Sequence, residues 1–304
     1  MLMVAHEMQS GCALLPQIDP MYGPDRTSEA EQARRIVRLL PENSIVMADA
    51  GFGIFSVAYH SAQAKHDILF RLTKSRYGAL RKNATVIDEG QYHKSYSLFW
   101  EPSVKDRKSN PNLPQDASIE VAIHEIELDN GTFMYIVTTL EIDAQSAVEL
   151  YSRRYDVEFD IRDVKVTTDA ENICAQSVVI VKKELMTSIV AVNLIAQFRR
   201  QAAGIVSVKP RRLSFKGVWL SFRDHLLMQQ PANLLMQQPA NLSEWQELYN
   251  GALISAGNRK LPIRCEPRTY PRKAHPRRPK SNKFMKSERK EINSDVKPPP
   301  LVPK

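Results

Sequence analysis

The first 74 residues alternate short apolar runs with amphipathic stretches, and that alternation restricts the chain to a small set of layered architectures. Met1–Glu7 and Cys12–Ile18 read as strands, with the break at Ser10-Gly11 suited to a hairpin. Ser28–Leu40 reads as a helix: Ser28 is an N-cap with Glu31 three residues on, and Ala30, Ala33, Val37 and Leu40 keep helical spacing. A short apolar run, Ser44–Ala48, ends at Asp49 and leads through Ala50-Gly-Phe-Gly53 into a second helix, Ile54–Lys65. Asp67–Thr73 supplies the next strand. The β–α–β–α–β order predicts an α/β sheet.

From Ser75 to Thr139 the period changes to two, which predicts a β-rich block of about 65 residues inserted into the α/β domain. The alternating runs Ile119–Leu128 and Thr132–Thr139 flank Asp129-Asn-Gly131, a hairpin signal. The polar stretch Pro102–Gln115 predicts a loop, and Phe99-Trp100 predicts packing inside the insertion rather than stacking on an extruded base. Helices are expected near 143–165 and 178–203. Further on, Leu227–Leu234 is repeated at once as Leu235–Leu242; eight residues are too few for a solenoid unit, and Pro231 and Pro239 forbid one helix through both copies.

Charge divides the chain sharply. The formal net charge is +8, yet residues 264–304 hold 13 Lys and Arg against 4 Asp and Glu, so the other 263 residues are near neutral. That segment also holds 8 of the 19 prolines, a composition that predicts a disordered basic tail able to contact phosphates. No run approaches the ~20 apolar residues of a membrane span, and no basic and apolar leader opens the sequence, so a cytoplasmic protein is expected. Cys12, Cys174 and Cys265 are too few and too scattered for a disulfide framework or a cysteine zinc site. The seven histidines show no paired ligand spacing, and Gly51-Phe-Gly53 is a turn and not a nucleotide-phosphate loop.

Two features carry chemistry. Asp49 stands where a strand ends in a glycine-containing turn, a rigid and open position for a ligand or a catalytic carboxylate, though an aspartate there can equally cap the turn. Tyr151, Arg154, Glu158 and Lys165 share a stripe about 60° wide on a helix at 100° per residue, beside an apolar face of Leu150, Val157, Ile161 and Val164. A carboxylate among Tyr, Arg and Lys suits a divalent metal flanked by phosphate oxygens; a solvated face with an Arg154–Glu158 pair is the plainer alternative.

Tyr151-x2-Arg154-x3-Glu158-x6-Lys165 resembles the Y-(2)-R-(3)-E-(6)-K signature of DDE transposases of the insertion-sequence four (IS-four) family. Met47-Ala-Asp-Ala-Gly-Phe-Gly53 is similar to the segment bearing that family's second catalytic aspartate, the insertion at 75–139 falls where the family has one, and Lys182–Leu194 looks like the helix after the glutamate. Tyr155 stands where the family often has tryptophan. The resemblance covers roughly residues 1–205.

It implies a ribonuclease H-like fold, a mixed sheet with flanking helices interrupted by the β-rich insertion. Its parts would be a core at 1–74, the insertion at 75–139, the helical part of the core with the glutamate at 140–205, an extension at 206–263 and the basic tail at 264–304. It further implies Mg²⁺ or Mn²⁺ as cofactor, Asp49 and Glu158 as catalytic metal ligands, and Tyr151, Arg154 and Lys165 as DNA contacts. Partners would be transposon-end and target DNA, with room for a homodimer in the DNA complex and no membrane, in a bacterial or archaeal cytoplasm at the nucleoid. The first aspartate of such enzymes lies on a strand preceding those at 1–18; Asp19 before Pro20 and Asp25 after Pro24 do not fit a strand-borne ligand. The expectation is an amino-terminally truncated, carboxyl-terminal part of a transposase, inactive alone. The alternatives are a non-catalytic DNA-binding or regulatory remnant, and an unrelated α/β protein.

Overall fold

The computed structural model describes residues 1–128, 131–228 and 242–262. Residues 129–130, most of the tandem duplication and the segment expected to be a basic tail lie outside them. Two compact units emerge: Met3–Gln17 with Glu29–Asn193, and Met1–Leu2, Ile18–Ser28 and the described residues from Leu194 onward.

The larger unit is built on a mixed six-stranded sheet. Strands β3 (Ile45–Ala48), β4 (Asp67–Arg71), β5 (Thr85–Glu89), β6 (His93–Trp100), β7 (Ile119–Glu127) and β8 (Phe133–Thr138) lie in the order β3-β4-β8-β7-β6-β5. β3 and β4 are parallel, joined by helix α2 (Phe55–Gln63), and the remaining pairings are antiparallel. The period-two segment thus shares one sheet with β3 and β4 through the β4–β8 pair. β1 (Leu2–His6) and β2 (Ala13–Ile18) form a separate two-stranded sheet whose turn uses Gly11 at φ 78°, as the hairpin signal predicts.

The centre of β4, Ile68-Leu-Phe70, is apolar between the charged ends Asp67 and Arg71. Ile68, Leu69 and Phe70 are wholly buried, because side chains alternate between two covered faces. Ile68 and Phe70 join a core with Phe55, Tyr96, Trp100 and Val137, while Leu69 joins Ile136, Ala144, Ala147 and Tyr151. Helix α1 (Glu29–Val37) belongs to the first face through Ala33, and α5 (Ala144–Ser152) to the second. A mixed sheet with helices on both faces is consistent with the ribonuclease H-like fold that the resemblance implied, with β1 and β2 standing outside the sheet.

Three elements differ from expectation. Residues 102–115 contain a short helix α4 (Val104–Ser109), started by a capping box in which Ser103 and Asp106 satisfy each other's backbone N–H; α3 (Lys74–Leu80) also interrupts the β-rich segment. The helix expected near 143–165 is α5, a 3₁₀ turn at Arg153–Tyr155, α6 (Asp156–Arg162) and a π-helical turn at Asp163–Thr167. A 3₁₀ turn advances each residue further round the axis and a π turn less, so faces computed at a constant 100° lose phase. Ile161 is consequently exposed, whereas Asp160 and Asp163 are buried, Asp160 opposite His6 at 3.9 Å.

In the second unit Phe198, on α7 (Val178–Ile205), meets Phe222 of α8 (Phe215–Met228) and Tyr249 of α9 (Leu242–Gly257) at ring distances of 5.0 and 5.6 Å. The buried Arg199 guanidinium lies 5.3 Å over Phe215. Among the described residues no helix is long and apolar enough to cross a membrane.

Candidate active site

β3 delivers Asp49 to the carboxyl end of the sheet, where the chain turns back on itself. The Asp49 carbonyl accepts from the N–H groups of Phe52 and Gly53 at 3.1 and 3.0 Å, and its carboxylate Oδ1 accepts from Gly51 N–H at 2.8 Å and Phe52 N–H at 3.4 Å. Gly53 is required by close approach: a Cβ there would lie 2.2 Å from the Arg71 carbonyl oxygen at the end of β4. Arg76 of α3 clasps the turn from outside, its Nη1 donating to the carbonyls of Ala50 and Gly53. Asp49 therefore has one carboxylate oxygen tied to the turn and an exposed side chain.

The helical part reaches the same place through Tyr151. Its ring is buried at the end of α5, and its hydroxyl donates to the carbonyl of Ala48, the residue before Asp49, at 3.2 Å. The Arg154 guanidinium stands 5.8 Å over that ring and donates from Nη2 to Glu158 Oε1 at 3.2 Å. Burial pushes the Tyr151 phenol above its ordinary value; the cations of Arg154 and Arg71 oppose the shift and the Asp49 carboxylate adds to it. Asp49, Arg71 and Arg154 are thus all within electrostatic reach of one phenol.

Of the five residues singled out in the sequence, Asp49, Tyr151, Arg154 and Glu158 form this connected series, with Tyr151 buried and Glu158 exposed. Lys165 is exposed on the π-helical turn, seven residues beyond Glu158, and has no ion pair among the described residues. Arg71 and Arg76 were missed. Pairing Ala48 with Phe70 in the parallel ladder would have found Arg71, since it places residue 71 beside residue 49; Arg76 acts on backbone carbonyls, for which no side-chain motif exists.

Among the described residues no three His, Cys, Asp or Glu side chains gather closely enough to hold a metal ion. Asp49 and Glu158 each carry the hard oxygen donor that a divalent cation takes. Each uses one carboxylate oxygen within the protein and leaves the other available, and Mg²⁺ is commonly held by one or two carboxylates together with water and phosphate oxygens.

The family described as the transposase DDE domain matches residues 14–194, a span that contains the whole sheet and both carboxylates. The chain belongs to that family. The match ends in α7 and covers every residue of the DDE domain's candidate site. No curated protein matches the chain. A solved structure of a piggyBac transposase synaptic complex with hairpin DNA aligns over 80% of this chain and 49% of that one, with a TM-score of 0.40 and 11% identity, so the chain spans about half of that protein's length. Trp100 is buried against Phe55 with ring centroids 5.8 Å apart, the packing role expected of it, whereas Phe99 is exposed.

Proposed function

We propose that the chain is a transposase of the IS-four family that binds transposon-end DNA and supplies Asp49 and Glu158 to a Mg²⁺- or Mn²⁺-dependent centre for DNA strand cleavage and transfer. The observation that carries this reading is the Tyr151 hydroxyl on the Ala48 carbonyl, which ties the helix bearing Arg154 and Glu158 to the strand end bearing Asp49. When bound, the metal would stabilise charge on the attacking and leaving oxygens of an in-line phosphoryl transfer. Arg154, held over Tyr151 and against Glu158, presents a charged donor fork to a DNA phosphate, and Lys165 offers a second cation. Exposed Tyr155 and Phe159, with Arg162 5.0 Å over the Phe159 ring, add aromatic and cationic surface to the same helix. The target DNA would follow the transposon end, with a homodimer in the DNA complex, at the nucleoid of a bacterial or archaeal cell.

Two carboxylates are one short of the three that a two-metal centre shares in this family, so the chain alone is expected to bind end DNA without cutting it. Incubation with labelled terminal-repeat duplex and Mg²⁺ or Mn²⁺ tests this. The expected result is salt-dependent binding, weakened by Arg154→Ala and Lys165→Ala, with no strand cleavage. Cleavage abolished by Glu158→Ala would contradict the inactivity and support the metal site; absence of DNA binding at low salt would overturn the whole reading.

A further inference from the structure

Away from Asp49, an open cleft of about 810 Å³ lies between α1, α2 and the loop after α4. Its chemistry is one-sided. Arg34 forms one wall, fixed by Glu31, by Ser56 Oγ at 3.3 Å and by Asn110 Oδ1. Those contacts use both Nη1 hydrogens and one Nη2 hydrogen, leaving Nε–H and one Nη2–H of a planar fork. One helical turn on, Arg38 is exposed and its side chain makes no hydrogen bond or ion pair among the described residues; neither do the side chains of Tyr59, Gln63 and Asn112, which also line the cleft.

The cleft's carboxylate is neutralised twice, because Glu31 pairs with Arg34 and with Arg35 at 3.5 Å, and these pairs hold it below its ordinary pKa. His60 accounts for itself: Nδ1–H donates to the Ser56 carbonyl at 2.7 Å. Burial lowers its pKa, and Arg38 and Arg34 lower it further, which sets both guanidinium groups near the ring. Cations in the last turn of a helix offset its dipole, so their presence on α1 alone is unremarkable. A cleft in which available donors converge, whose one carboxylate is already satisfied, is different: it is a receptor for an oxyanion.

We infer that this cleft binds the phosphodiester backbone of DNA, a second contact separate from the Asp49–Glu158 centre, with Arg38 as its charged anchor and Arg34 as its fixed wall. The inference rests on the reading of the chain as a DNA-binding transposase. The open form of the cleft favours a polymer over a mononucleotide, because a continuous backbone can pass across it, and one face of its Tyr59 ring is already occupied by Phe55 at 5.5 Å.

The test is fluorescence anisotropy of the full chain with a labelled 20-base-pair duplex across a salt series, and with dAMP as the mononucleotide probe. Arg38→Ala should lower duplex affinity about tenfold and reduce the slope of log K against log salt by about 0.9, the value for one lost phosphate contact, at unchanged Tm. Asn112→Ala should lower affinity less and leave the slope unchanged. Wild-type affinity and slope in both variants would overturn the inference, as would an Arg38 effect confined to dAMP. Arg154→Ala and Lys165→Ala separate the two readings: loss of duplex binding there with none in Arg38→Ala removes this cleft and leaves the proposed function standing.

Discussion

Substituting Gly53 by alanine tests how tightly the Asp49 turn is held. The new Cβ would lie 2.2 Å from the Arg71 carbonyl oxygen, against roughly 3.5 Å for ordinary nonbonded contact. Arg71 cannot yield readily, because it is the end of β4, paired with Ile136 of β8. The turn must therefore move by about 1 Å, stretching the Gly53 N–H bond to the Asp49 carbonyl and the clasp of Arg76. Overpacking of this kind costs about 1–3 kcal/mol, offset by about 0.4–1 kcal/mol from the stiffer unfolded chain. A net loss of roughly 1–2 kcal/mol lowers Tm by about 2–8 °C in a domain of this size, read by circular dichroism. Because Asp49 moves with the turn, Mn²⁺ affinity should fall about 10- to 100-fold, as for loss of a supporting contact around a metal ligand. Gly78→Ala is the control: nothing lies within 4 Å of its Cβ on α3, so it should raise Tm slightly. A Gly53→Ala protein with unchanged Tm and Mn²⁺ affinity would refute the close-approach reasoning.

Tyr151→Phe removes the single hydroxyl that reaches the Ala48 carbonyl and should cost about 1 kcal/mol, a Tm loss of roughly 2–4 °C, while the ring's packing survives; a loss above ~3 kcal/mol would mean the ring itself had moved. Arg76→Ala should leave overall stability within about 1 kcal/mol yet weaken Mn²⁺ binding, with Arg76→Lys restoring part of it; equal binding in all three proteins would deny Arg76 a positioning role. Stability should hold a plateau between pH 6.5 and 10, measured by urea midpoints. Burial lowers the pKa of His60, His124 and His225, so below about 6.5 the unfolded chain takes up protons that the folded chain excludes and stability falls with pH. Burial raises Tyr77, Tyr135, Tyr151 and Tyr249, so above about 10 the unfolded chain releases protons that the folded chain keeps, and stability falls again. A midpoint that rises between pH 6.5 and 5 would contradict the histidine assignments.

The order of strands and helices through residue 74 was legible because each element there centres on an unbroken run: Ile45–Ala48 and Ile68–Phe70 are apolar on both faces, and α1 keeps its 3.6-residue stripe. α4 was not, since one exposed valine and five polar residues carry no period and only the Ser103–Asp106 box marks its start. The segment from 144 to 167 shows a deeper limit. Its residue identities predict Tyr151, Arg154 and Glu158 as one group, and that grouping is seen, but through a ring-stacked arginine and a buried tyrosine and not as a uniform polar stripe. Periodicity assumes one helix geometry, and the 3₁₀ and π turns, which depend on tertiary packing, change it locally. Arg71 and Arg76 depend on strand pairing and on backbone carbonyls brought from elsewhere, which no local pattern encodes.

The central claim is that Asp49 and Glu158, 109 residues apart in the chain, serve one metal ion beside Tyr151. Mn²⁺ titration by electron paramagnetic resonance, on the wild type, Asp49→Asn, Glu158→Gln and the double variant, in the presence of end DNA, tests it most directly. Each single substitution should weaken Mn²⁺ binding at least tenfold, and the double variant should lose little more than either single, the non-additivity expected of two ligands of one ion. Independent, additive losses, or a Glu158→Gln protein that binds Mn²⁺ like the wild type, would contradict it.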